Sequence, residues 1–146
     1  MPDEIADAAI AAKLASLDPA ARRSLIGTSA ELTAWREPFA IWAGGEETSP
    51  GVIQIGYPAY VPIVDRVRDT MAPLVVPFDW LGWDEGKALL ARPITSAEGL
   101  SPVTAVKLFT AIIRAERFDE GYLLDKLEDG TVATLLNAVA VSVSGE

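Results

Sequence analysis

Arg114 and Arg117 stand three residues apart, so on a helix their guanidiniums share a face and could fork a phosphate or a carboxylate. Glu120 follows closely as an acid that could complete such a site. Upstream, Phe78-Asp79-Trp80-Leu81-Gly82-Trp83-Asp84-Glu85 sets two tryptophans three apart, with Asp79 as a candidate acid beside them. Paired indoles of this kind can line a ligand pocket. Arg114, Arg117, Asp79, Trp80, Trp83 and Glu120 are therefore the candidate ligand-binding residues, and the chemistry they suit is recognition of a small anion.

Each of these residues also has an ordinary structural use. Tryptophans at helical spacing seal sheets against helices, and an Asp at a helix start is an N-cap. The arginines can form ion pairs with Asp119, Glu120 or the carboxylates of the tryptophan segment, tying a helical bundle to a sheet. Asp84 and Glu85 diverge by about 100° on a helix, so they make no ready glycosidase-type pair. Gly121, placed early in a helix, implies a close neighbour at its backbone. No residue is assigned a catalytic role.

Composition narrows the chemistry further. The chain has 146 residues, half of them hydrophobic and 23% charged, which suits one globular domain with a sizeable core. Cysteine and histidine are absent, which removes disulfides, thiolate sites, the commonest general base and the commonest metal ligand. No metal or cofactor is implied. With 21 acidic against 12 basic residues the net charge is −9, which repels a nucleic-acid backbone over most of the surface. The acidic N-terminus lacks a basic signal region and no apolar run approaches a bilayer span, so the expectation is a cytoplasmic chain with no membrane partner. Eight arginines against four lysines suit a bacterial or phage source.

The elements that must position the candidates follow from periodicity and punctuation. An opening helix is predicted over about 3–16, then a second begun by Asp18-Pro19 and stopped at Gly27, with a further turn from Ser29 that ends before Pro38. Phe39–Trp42 and Gly51–Ile55 read as strands around a polar, glycine-rich hairpin loop. From Pro58 the spacing of Tyr60, Ile63, Val64, Val67 and Met71 predicts a helix. Its outer face would carry Asp65, Arg68 and Asp69 as a solvated ion-paired row. Leu74–Val76 reads as a short buried strand.

The C-terminal third is the clearest helical region. Ser101-Pro102 starts a helix with Val103, Val106, Phe109 and Ile113 on its buried stripe, and with Thr104, Lys107, Ala111 and Arg114 opposite. Phe118 and Leu123 are expected to staple the next helix, capped by Asp119 and stopped at Gly130. Val132, Leu135, Leu136 and Val139 define the last helix. Its polar side offers Asn137 and threonines, and its predecessor is mostly acidic, which argues against a DNA-recognition helix.

From about Gly51 to Val139 the chain resembles the bacterial and phage family catalogued as domain of unknown function 6508. The likeness rests on Gly51-Val52-Ile53-Gln54, on Phe78-Asp79-Trp80 with Trp83, and on Arg114 with Arg117-Phe118. Glu120-Gly121, Leu123 and Gly130 complete it. The resemblance implies a fold and no established activity. It also implies polar residues such as Cys or His near positions 119, 122 and 131, where this chain has Asp119, Tyr122 and Thr131. That departure speaks against a thiol or metal role.

The expected architecture is a single α+β domain over 1–146, with a helical extension at 1–30 and a family-like core at 32–140. A C-terminal three-helix bundle would pack on a sheet of two or three strands. The expected function is a non-catalytic interaction or regulatory module that engages a protein partner or its own copy. The alternative is an enzyme or small anionic-ligand binder using Arg114, Arg117 and Asp79 beside Trp80 and Trp83.

Overall fold

The computed structural model describes residues 2–45, 47–53 and 56–144. Helices α1 (Pro2–Ala15) and α2 (Pro19–Ala34) open the chain. Strands β1 (Ala40–Ala43), β2 (Glu47–Ser49), β3 (Val52–Ile53) and β4 (Tyr57–Tyr60) follow. Then come α3 (Pro62–Met71), a 3-10 turn (Ala72–Leu74), α4 (Asp84–Leu90), α5 (Pro102–Glu116), α6 (Tyr122–Glu128) and α7 (Thr131–Val143). The fold is α+β with a helical majority, as the sequence predicts.

The caps that start the major helices are the ones the sequence marks. Asp18 accepts a hydrogen bond from Ala21 N at 2.8 Å with Pro19 at the first helical position, and Ser101 accepts from Thr104 N at 3.1 Å ahead of Pro102. Gly27, however, does not stop α2. The helix runs through it to Ala34, because Thr28, Ser29 and Leu32 bury the next turns. Glycine costs a helix interior only about 1 kcal/mol, less than that burial returns.

The sheet differs from expectation in its pairing. β1 pairs with β4 antiparallel, Ala40 opposite Tyr60 and Trp42 opposite Pro58, while β2 and β3 form a small inner hairpin turned by Gly51 at φ +79°. The predicted strand over Gly51–Ile55 therefore belongs to that inner hairpin as far as Ile53; Gln54 and Ile55 lie outside the described residues. Two prolines compete to start α3, and Pro62 wins; Pro58 sits inside β4 instead. Leu74 and Val76 are buried as predicted, but in a 3-10 turn and an extended segment rather than a strand.

The core is centred on α7, which packs against α2, α5 and α6; α3 lies on α2, while α1 and α4 lie on α5. Val106, Phe109, Leu123, Leu127, Leu135 and Leu136 are buried as expected, and Val103 and Ile113 are half-buried against them. Leu108 and Ile112 join them at the centre. One face differs from the periodicity: Lys107 and Ala111, opposite the apolar stripe, are both buried, with Lys107 only 4% exposed. Helix α5 is covered all round because α1 and α4 close over the side that an isolated bundle would leave wet.

Candidate functional site

The Phe78–Trp83 segment is a tight turn whose shape Asp79 sets. Asp79 Oδ1 accepts a hydrogen bond from Gly82 N at 3.0 Å, and a Cβ at Gly82 would collide with that carboxylate. Asp79 therefore caps the turn rather than a helix, since α4 begins at Asp84 with no side-chain cap. Trp83 is buried, edge-on to Phe78 with ring centroids 5.6 Å apart. Its ring lies against Gly86, where any Cβ would fall inside the indole, so α4 needs glycine there.

Trp80 remains half-buried and stacks at a tilt on Phe118, centroid to centroid 6.4 Å, and Phe118 is 81% exposed. Phe118 therefore staples nothing. Trp80 also walls a cleft of about 330 Å³ between α4, α5 and α6, lined besides by Trp83, Lys87, Leu90, Ala111, Ala115 and Tyr122. Burial first, then the charges of Asp129, Asp119 and Asp125, push the Tyr122 phenol above its ordinary pKa, so it stays neutral. Lys126 closes the end of α4 by donating to Leu90 O at 2.6 Å, and its ammonium lies 5.5 Å from the Tyr122 ring.

Behind Trp83, Lys107 occupies an aromatic box. Its Nζ lies 4.5 Å from the Trp83 centroid and 5.2 Å from that of Phe78, and 3.1 Å from Asp7 Oδ1 on α1. The approach is off the hydrogen-bonding direction, so charge and ring quadrupoles hold the ammonium.

The six candidates do not converge. Trp80 and Trp83 line the aromatic cleft, whereas Arg114 lines a different cleft on another side of α5. Arg117 and Glu120 are exposed at the end of α5 and just beyond it. Among the described residues neither Arg114 nor Arg117 makes an ion pair or a side-chain hydrogen bond, so the expected arginine clamp is absent there. The expected ion-paired row of Asp65, Arg68 and Asp69 is likewise missing among the described residues; Arg68 instead sits 5.6 Å from the Tyr60 ring centroid.

The clamp is Glu116, the acid between the two arginines. Its Oε1 accepts from Gly121 N at 3.1 Å and Leu123 N at 2.8 Å, and its Oε2 accepts from the Tyr60 hydroxyl at 2.8 Å. One carboxylate thus supplies acceptors to the free N–H groups that start α6 and ties β4 to the bundle. It replaces the cap expected from Asp119. Gly121 is required for its φ of +100°, not for a close neighbour, since nothing approaches where a Cβ would stand. A sequence signal existed: Glu in the last turn of a helix opposes the helix dipole and needs donors nearby.

Among the described residues no three of His, Cys, Asp and Glu gather as a metal site, and no helix is long and apolar enough to cross a membrane. No curated protein and no solved structure matches the chain. A family model matches residues 18–144, taking in α2 as well as the 32–140 core expected from sequence. The chain belongs to that family, the family of unknown function DUF6508.

Proposed function

We propose that this chain is a non-catalytic interaction module of the bacterial or phage cytoplasm, and that it captures an apolar side chain of a protein partner in the cleft under Trp80. The observation that carries the reading is the exposed Phe118 stacked on half-buried Trp80, which walls an apolar cleft, with Leu81 also exposed beside it. Large exposed apolar groups clustered around a concavity mark interaction sites. The rest of the surrounding surface selects the partner's charge. Asp79, Asp84, Glu85, Asp119 and Glu120 are exposed on the segments that carry the pair, against Lys87 and Arg117. That acidic rim fits an apolar anchor flanked by Lys or Arg, and disfavours both nucleic acid and a second copy of this acidic chain.

Titration of the 15N-labelled protein with a lysine-flanked peptide carrying a central phenylalanine tests the reading. The expected result is a saturable shift of the Trp80 indole N–H that weakens with added salt. Phe118→Ala and Trp80→Ala should each weaken binding by roughly tenfold or more. A glutamate-flanked counterpart that binds as well would sink the charge argument. A dimer in sedimentation that dissociates in Trp80→Ala would make the occupant a second copy and overturn the assignment.

A further inference from the structure

We infer that the cleft between α3 and α5 binds a small molecule with one compact anionic head, a carboxylate or a phosphate, and a short apolar body. Arg68 and Arg114 line this cleft of about 320 Å³, with Phe109, Val75 and Ala72 among its apolar walls. Three of the chain's eight arginines are half-buried, and they differ in how their guanidiniums are used. Arg22 donates its Nε–H to Leu17 O at 3.1 Å. Arg68 and Arg114 make no ion pair and no side-chain hydrogen bond among the described residues, and the Arg68 Nε is shut off from solvent with its donor unused.

Two cations share this low-polarity cleft with one carboxylate, Asp69, that pairs with neither, and the arrangement is unfavourable on two counts. The charges repel each other, and a shielded N–H forgoes the hydrogen bond that water would have given it. A carboxylate or phosphate offsets the repulsion between the two cations, because the guanidinium N–H groups that line the cleft match its oxygens. The cleft is also organised in advance. The Tyr60 ring lies against the Arg68 guanidinium, and Tyr60 is itself held by its hydrogen bond to Glu116. That bond and the two backbone donors hold the Glu116 carboxylate in its own contacts, and it forms no ion pair with Arg68. Asp69 shares the lining without pairing to either arginine, so it limits the ligand to one compact anionic head.

The test uses benzoate, phenyl phosphate and neutral benzyl alcohol, read at the arginine Nε–H resonances of the full chain. Benzoate or phenyl phosphate should saturate with shifts at Arg68 and Arg114, the better of the two identifying the head group, and benzyl alcohol should not. Arg114→Gln should weaken binding by about tenfold or more. Asp69→Asn should tighten it several-fold by removing a like charge. Because Arg68 is stacked on Tyr60, Arg68→Lys replaces Arg68→Gln as the second variant; it keeps the charge, loses the fork, and should also bind more weakly. Absence of saturation by both anions up to about 10 mM, equal binding of the alcohol, or unchanged affinity in Arg114→Gln would each overturn the inference.

Discussion

At the scale of single residues, the structure turns on Glu116 and Tyr60. Removing the Glu116 carboxylate strands two backbone donors at the start of α6 and one phenol on β4, so Glu116→Ala should destabilise by about 2–4 kcal/mol in chemical denaturation. Tyr60→Phe loses one charge-assisted bond from a half-buried ring and should cost about 1–2 kcal/mol. Burial, then the hydrogen bond to Glu116 and the carboxylate's charge, raise the Tyr60 pKa well above its ordinary value. The folded state therefore holds the phenolic proton more tightly than the unfolded chain does. That contribution is intact below the unfolded value of about 10 and is lost as pH climbs through the raised one. Stability should fall steeply above about pH 10, and Tyr60→Phe should flatten that fall; an identical alkaline profile would show that Tyr60 is not its cause. The arginine pair was legible in the sequence because spacing alone defines it. Its partners were not, since whether a guanidinium meets an acid depends on where α5 ends and which loop passes there.

At the scale of elements, periodicity located most helices and missed what covers them. The stripe of α5 and the last helix were readable because each pairs apolar residues at helical spacing with a marked start: a serine-proline cap for α5, Gly130 for α7. Lys107 and Ala111 were misplaced because the burial of α5 on that side comes from α1 and from the Phe78–Trp83 turn, both distant in sequence. Leu136 sits where α7 meets the rest of the core, and Leu136→Ala should cost about 2–5 kcal/mol. Gly86→Ala sets two effects against each other. Alanine is the better helix former by about 1 kcal/mol, but its methyl would fall inside the buried Trp83 ring, and overpacking costs about 1–3 kcal/mol. Since Trp83 is boxed by Phe78 and Lys107, the clash wins: Gly86→Ala should be less stable, with an altered near-ultraviolet dichroism from the displaced indole. A gain in stability would mean that the ring is freer than its contacts imply.

At the scale of the molecule, α1 is joined to the family-matched part by packing and by the ion pair of Asp7 with Lys107. The match begins at residue 18, beyond the end of α1, yet Ala6 and Ile10 are buried with the core and Asp7 supplies the counter-charge to Lys107. Losing the partner of a buried ammonium costs about 3–5 kcal/mol when the pair is sealed from water. Here the Asp7 side chain is 49% exposed, and water there can take over part of its role. The aromatic rings on the other side of Lys107 also remain, so Asp7→Asn should cost about 1–2 kcal/mol. Lys107→Met keeps the length and fills the same box without a charge, and should be neutral or stabilising. The double variant separates charge from packing. If α1 is attached partly through the ion pair, Asp7→Asn should cost less than about 0.5 kcal/mol once Lys107 is methionine, leaving a coupling of about 1 kcal/mol in the cycle. Equal costs in both backgrounds would take the ion pair out of the attachment of α1, with Lys107 held in place by its aromatic box rather than by Asp7.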